Sequence, residues 1–408
     1  MKIAKLRIEN FRGIASLEVD NLDPKMNVAI GVNGAGKTSF LESLALALSW
    51  LIARMKSVSA KGNLPAESDI TYGAKSPCRI SVTLDSRESW SIGRAKSYSA
   101  SAFKPELGEL SALARKIVDR AADGGEVPVL MYYPVERAIA SAPVNLHKAE
   151  PAIWDVYKDA LSGNANFRAM FEWYRRQEDI ENENIRDDAG YRDRSLEAIR
   201  EAVSAFFPDF SEMRIRRRPR QSMVVKKQNE EIEFTQLSQG EKCYLSLVCD
   251  IARRLAIANP SCPKPLEGQG IVLVDEIDLH LHPKWQSEIV SKLMEVFPNC
   301  QFFLSTHSSL VLSDVTRSQI LPLDKGKVQN ISFEAYGKLS GSIMENYFGA
   351  PYQRNRKVAR KIEDAFGAVR AGDAEKYRKL FAGLQGILDM SDPDMVNLAI
   401  EARRRNVE

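Results

Sequence analysis

GVNGAGKT, residues 31–38, decides the fold. It satisfies G-x-x-x-x-G-K-[ST] in full, follows the apolar run NVAI at 27–30, and opens a helix with an apolar face. Strand, glycine loop and helix in that order are the context in which the motif holds phosphates. Glycines let the main chain wrap close to an anion, the loop N–H groups point inward, and the helix N-terminus adds positive potential. Asn33, Gly34, Ala35, Gly36, Lys37, Thr38 and Ser39 are therefore the expected nucleotide contacts. Lys37 is expected to reach the β- and γ-phosphates, and Thr38 to offer its hydroxyl to Mg²⁺. Phe40, Leu41, Leu44, Leu48, Leu51, Ile52 and Met55 mark the buried face of the helix.

Two later segments repeat the design of an apolar strand ending in polar residues. In GIVLVDEIDLHLHP (270–283) the strand ends in two adjacent carboxylates. Asp275 can hold magnesium through water, and Glu276 can polarise an attacking water as general base. A DE pair on a solvated turn is the plain alternative, but four β-compatible apolar residues directly before it argue against a turn. In QFFLSTHSSL (301–310) the strand ends in Ser305, Thr306 and His307, and the histidine can contact a γ-phosphate. Lys37, Glu276 and His307 are the candidate catalytic residues; Thr38 and Asp275 are the candidate metal-holding pair. His280 and His282 have no evident third ligand, so no metal site is expected from them, and His147 reads as a surface histidine.

A second anion-binding helix end lies far along the chain, in QLSQGEKCYLSL (236–247). Ser238 sits where a helix N-cap belongs, and Gly240 lies in the first turn of the amphipathic helix through Tyr244, Val248, Ile251 and Leu255.

Composition sets the class around these motifs. The chain has 408 residues, 44% hydrophobic and 27% charged, with a net charge of +3. That balance fits a globular protein and excludes a global basic field, so any nucleic-acid surface must be local. Five scattered cysteines without a CxxC pair fit free thiols in a reducing cytoplasm better than a disulfide framework or a zinc knuckle. MKIAKLRIENF (1–11) alternates like a first strand and not like a signal peptide. LALALSWLIA (44–53) is too short a run to span a bilayer. Residues 1–99 read as strands around the loop helix. Residues 100–207 read as a mainly helical insertion, interrupted by a strand in VPVLMYYPVERA (127–138). Strands return over 208–347, and 348–408 is a helical tail with Tyr377, Leu380, Phe381, Leu384 and Leu388 at helical spacing.

The order of GVNGAGKT, LSQGE, LVDE and STH resembles the ABC-type ATPases of the SMC, RecF and OLD group, and IENFRGI (8–14) is similar to their first strand and turn. The resemblance implies an α/β fold: an ABC-type P-loop head, a mixed sheet around the P-loop helix, with a helical insertion and a helical C-terminal tail. LSQGE stands where the family has an LSGGQ-like signature; Leu237, Ser238 and Gly240 match, while Gln239 and Glu241 differ. DLHLHP (278–283) resembles the D-loop region. In such enzymes the signature closes over the γ-phosphate bound by another subunit. The resemblance therefore implies a head-to-tail dimer or higher oligomer with two ATP molecules at composite sites and Mg²⁺ as cofactor.

Within the group, the insertion is too short for SMC arms, and no Toprim nuclease pattern follows the head. This chain is thus expected to hydrolyse ATP and to cleave no nucleic acid alone. YYPVERA (132–138) and SIMENYFGAP (342–351) resemble the PtuA-like ATPases that accompany HNH-type endonucleases in the anti-phage systems Septu and some retrons. That likeness implies a cytoplasmic ATPase controlling a separate nuclease, with Tyr133 and Arg137 near the nucleotide or the lobe boundary. A RecF-like repair ATPase and an ATP-binding scaffold with little turnover are the competing readings. MRIRRRPRQSMVVKK (213–227) is the one local basic feature. On a continuous strand Arg214, Arg216, Arg218 and Arg220 share a face suited to a DNA or RNA backbone, unless Glu230, Glu231 and Glu233 answer their charge.

Overall fold

Alternating burial sets the entry to the fold. The computed structural model describes residues 1–97, 103–135, 153–161, 167–349 and 354–407. In β1 (Ile3–Phe11), Ile3, Leu6, Ile8 and Phe11 are buried while Lys5 and Arg7 are exposed. β2 (Ile14–Val19) returns antiparallel, with Phe11 opposite Ile14. β3 (Met26–Ile30) is buried throughout and leads through residues 31–36 into α1 (Lys37–Lys56). β4 (Cys78–Leu84) and β5 (Ser89–Arg94) complete a four-stranded antiparallel sheet in the order β2-β1-β4-β5. Trp90 of β5 donates from its indole to the Ala47 carbonyl at 3.1 Å, which ties this sheet to α1.

α2 (Gly108–Ala122), β6 (Val129–Tyr133), α3 (Phe167–Asp187) and α4 (Arg194–Phe206) follow. All five β6 residues are buried, and the strand pairs in parallel with the β10 strand introduced below. The strand read inside the 100–207 segment therefore serves the central sheet. β7 (Phe210–Arg216), β8 (Ser222–Lys227) and β9 (Glu230–Glu233) form a three-stranded antiparallel sheet. The expected strand alternation through Arg220 is corrected here: β7 stops at Arg216, and Arg218 and Arg220 lie in the connection to β8.

α5 (Gln239–Ala258) is followed by β10 (Gly270–Val274), α6 (Pro283–Gln286), α7 (Ile289–Val296), β11 (Cys300–Ser305), α8 (Ser309–Leu312), β12 (Ile320–Asp324), β13 (Lys327–Val328) and α9 (Ser340–Phe348). The central sheet runs β13-β12-β3-β11-β10-β6, parallel except for β13. Every residue of β3, β10 and β11 is buried, because parallel strands in a sheet covered on both faces have no solvent side. That is why these strands read as unbroken apolar runs. α1 lies against the sheet, with the Phe40 and Phe303 ring centroids 6.3 Å apart. α1 is long and apolar enough to cross a membrane by composition, but most of it is buried inside the protein.

The chain divides into two compact units, Met1–Ile343 and Met344–Glu408. In the second, α10 (Arg356–Ala371), α11 (Ala374–Gln385) and α12 (Pro393–Arg404) share a core that includes Ile362, Val369, Tyr377, Leu384, Met395 and Leu398. Leu380, Phe381 and Leu388 pack against it partly buried.

Candidate functional site

The glycine loop turns at the C-terminal end of β3. Gly34 and Gly36 hold φ of 80° and 105°, the left-handed region that disfavours a side chain. Lys37 is buried and folds back over the loop, donating from Nζ to the Gly31 carbonyl at 2.9 Å and that of Val32 at 3.3 Å. Burial lowers its pKa, while the carboxylates of Asp275, Glu276 and Asp278 oppose the shift. Val32, Asn33 and Gly34 stand exposed at the crest, Ala35 is buried, and Thr38 is exposed. Gly326, in the turn between β12 and β13, supports the loop from outside: its N–H donates to the Ala35 carbonyl at 3.0 Å.

The ends of β10 and β11 meet this loop. Asp275 is wholly buried and accepts from the Thr38 hydroxyl at 2.8 Å and from the Ser305 hydroxyl. The Ser305 oxygen in turn accepts the Glu276 N–H at 2.7 Å. One serine on β11 thus holds the Asp275 carboxylate and the main chain of Glu276. Glu276 sits at φ 46°, a strained conformation for a residue with a side chain. The Thr306 hydroxyl donates to Asp278 at 2.5 Å, and the His307 N–H does so at 3.4 Å. Burial lowers the His307 pKa and the Lys37 charge lowers it further, against Asp278, Glu276 and Asp275. Lys37, Thr38, Asp275, Glu276 and His307, far apart in sequence, therefore share one polar centre. The hard oxygen donors of Thr38 and Asp275, 2.8 Å apart, fit a divalent cation such as Mg²⁺.

Ser238 caps α5 in a reciprocal box: its hydroxyl accepts from Glu241 N–H at 3.3 Å, and Glu241 accepts from Ser238 N–H at 2.9 Å. Lys227 of β8 donates to Glu241 at 2.6 Å and anchors the cap to the three-stranded sheet. Gly240 passes close to the main chain at His280; a Cβ there would lie 2.2 Å from the His280 oxygen. Ser238 and Gln239 are exposed, and among the described residues no hydrogen bond joins Ser238 or Gly240 to residues 31–39.

His282 caps α6, its Nδ1 accepting from the Lys284 N–H at 3.3 Å. Among the described residues no group of histidines, cysteines and carboxylates has metal-binding geometry. Arg137 and His147 lie outside the described residues. Tyr133 is buried, its carbonyl accepting the Asp275 N–H at 2.8 Å. Its hydroxyl donates to Asp250 of α5 at 2.9 Å, a residue outside the set expected from the sequence. The signal was present in CDIARR (249–254): a carboxylate in a buried stretch with arginines three and four residues on.

Among the described residues four of the five arginines at 214–220 form ion pairs, Arg217 with Glu178 at 2.7 Å and Asp179 at 2.5 Å of α3. Arg214 meets Glu231, Arg216 meets Glu233 and, at 3.4 Å, Glu231, and Arg220 meets Glu233 at 2.9 Å. The acids of β9 answer the charge across β8, so of the two readings of this segment the ion pairs match the hairpin with answered charge and not the open row of guanidinium groups. Changing Arg214, Arg216, Arg218 and Arg220 together to Gln is expected to lower the melting temperature slightly, since exposed pairs contribute under about 1 kcal/mol each. DNA affinity, read by filter binding at two salt concentrations, is expected to stay unchanged. A log–log salt slope reduced by about 0.7–0.9 per arginine would instead make this hairpin a phosphate-backbone contact.

The glycine loop at the centre of a parallel sheet, with carboxylates and a histidine at the neighbouring strand ends, defines an ABC-type P-loop ATPase head. Residues 26–313 match the family described as "AAA domain, putative AbiEii toxin, Type IV TA system". The chain is similar to the "Retron Vc95 probable ATPase" of Vibrio cholerae serotype O1 biovar El Tor, 34% identical over 376 residues, covering 78% of this chain and 73% of the relative. It is 28% identical to the "Retron Ec83 probable ATPase" of Escherichia coli over 485 aligned residues, 99% of this chain and 87% of the relative. It is 21% identical to "Septu protein PtuA" of Bacillus thuringiensis over 417 residues, 96% of this chain and 95% of the relative. The chain belongs to this AAA-domain family and is an ATPase related to the retron and Septu proteins.

Proposed function

We propose that this ATPase hydrolyses ATP at sites completed between two copies of the chain, and that turnover controls a separate nuclease in anti-phage defence. The observation that carries the shared site is the position of Ser238. It is exposed at the N-terminus of a long helix, an anion-binding end, and among the described residues has no hydrogen bond to its own phosphate loop. In this reading Asn33 to Ser39 hold the phosphates of one ATP, and Ser238 and Gly240 of a second copy close over its γ-phosphate. Thr38 and Asp275 hold Mg²⁺, whose chemistry is to neutralise charge on the β- and γ-phosphates. Lys37 donates to the same phosphates. Glu276 accepts a proton as the water oxygen bonds to the γ-phosphorus and the bridging oxygen leaves with ADP. His307 donates to, or orients, the γ-phosphate.

His307 carries a sign-definite pH dependence. Its folded pKa lies below the ordinary 6.5, so the neutral imidazole prevails above that value and is lost only as pH falls through the lowered one. kcat/KM, which reports the nucleotide-free enzyme, is expected to be flat above the lowered pKa and to change only in acid, measured over roughly pH 5–8, where an imidazole changes charge. The part of the acid limb due to His307 should vanish in His307→Asn.

The nuclease partner is supported by the likeness to retron and Septu proteins. All five cysteines are free thiols, which suits a cytoplasmic setting. Co-purification of the chain with the products of neighbouring genes, followed by mass measurement, tests the partnership. A nuclease of HNH type in the complex is the expected result, and a chain that purifies only with itself or with recombination proteins would favour the RecF-like reading.

A further inference from the structure

We propose that Tyr133 and Asp250 are positioning residues for ATP hydrolysis, joining the helix that begins at Ser238 to the main chain of Asp275. The inference rests on Asp275 holding the metal, and the controls below separate the two.

Asp250 lies on α5 and is buried in the interior of the head. Among the described residues its two oxygens accept four hydrogen bonds. Oδ2 accepts from the Tyr133 hydroxyl at 2.9 Å and from Arg254 Nε at 2.8 Å. Oδ1 accepts from Arg253 Nη2 at 2.6 Å and Nε at 3.1 Å. Burial alone would favour the neutral acid, but Arg254 and Arg253 hold the carboxyl below the usual range, so it is ionised. Burial, with the Asp250 charge, raises the Tyr133 phenol well above its ordinary value, so the phenol remains a donor. A buried carboxylate with all its partners fixed defines one geometry, because any partner that moves leaves a charge unpaired in an apolar interior.

Tyr133 has a second attachment. It is the last residue of β6, beside Val274 of β10, and its carbonyl accepts the Asp275 N–H at 2.8 Å. One residue thus carries α5 on its side chain and Asp275 on its main chain. Arg254 extends the same network outward, donating to the carbonyls of Val156 and, at 3.1 Å, Lys158. The segment that includes these carbonyls is bound to β6 as well, since Tyr132 N–H donates to the Ala160 carbonyl at 2.8 Å. A displacement of α5 or of residues 156–160 therefore acts on the main chain that aims Asp275. Among the described hydrogen bonds the phosphate-binding segment meets this network through the Thr38–Asp275 bond, while the loop main chain and Lys37 are held separately, so nucleotide affinity is expected to change little.

The test is Tyr133→Phe, which removes one oxygen and keeps the ring. It is expected to lower kcat for ATP roughly 10–100-fold, the range for displaced reacting groups, with KM and nucleotide binding unchanged within about twofold. Tyr174→Phe is the matched control. It too deletes a buried hydroxyl, bonded to the Met213 carbonyl at 2.6 Å, but on α3 and away from Asp250, Arg254 and residues 156–160. It is expected to lose a similar amount of melting temperature and to keep kcat. Asp250→Asn is expected to follow Tyr133→Phe; if it does not fold, the tyrosine pair alone decides. Wild-type kcat in Tyr133→Phe, an equal loss in Tyr174→Phe, or a rise in KM without a fall in kcat would each overturn the proposal. Asp275→Asn run alongside reports on the metal assignment: if it turns over ATP normally, that assignment fails whatever the tyrosines show.

Discussion

Glu276→Gln is expected to bind ATP like the wild type and to hydrolyse it roughly 10²–10⁴-fold more slowly, the contribution of a positioned general base. The substitution is close to isosteric, and the main chain that aims the residue is held independently of its carboxylate. The N–H at 276 donates to the Ser305 hydroxyl, and φ stays at 46° because Ile277 N–H is tied to the Ser305 carbonyl at 3.0 Å. Asp275, Thr38 and Lys37 keep their own bonds, so the cation and the phosphates lose no protein donor. Phosphate release at the wild-type rate would assign the base to another group.

Ser238→Arg is expected to bind ATP yet lose nearly all hydrolysis. An arginine at an exposed helix start leaves the head's interior alone, because among the described residues the Ser238 hydroxyl bonds only within its capping box. Loss of that cap would cost about 1 kcal/mol of stability, far too little to unfold a domain. The bulk of the guanidinium falls instead where a second copy's γ-phosphate would approach. Retained nucleotide binding with abolished turnover therefore separates a shared site from a site complete within one chain.

The phosphate site was legible in the sequence because its pieces are local. Residues 31–38 encode the loop by spacing alone, and β10 and β11 announce themselves as apolar runs ending in Asp275, Glu276 and His307. What spacing could not give is how those ends are joined. Ser305 bonds across strands to two residues of β10, a relation set by parallel register, with Val274 opposite Leu304. Tyr133 and Asp250 lie 117 positions apart, and their bond exists only because β6 closes the edge of the central sheet beside α5. The arginine segment misled for the same reason. Alternation shows which side chains share a face, but the end of β7 at Arg216 and the pairing with Glu231 and Glu233 depend on how β9 lies in the sheet.

The shared site itself is tested most directly by mixing two inactive variants, Lys37→Ala and Ser238→Arg, and measuring phosphate release with the mixed oligomer verified by mass. In a two-fold symmetric dimer each mixed pair holds one site with an intact Lys37 from one chain and an intact Ser238 from the other, so equal mixing should restore about a quarter of wild-type turnover if the two sites act independently. No recovery in mixtures shown to contain mixed dimers would contradict sites shared between chains.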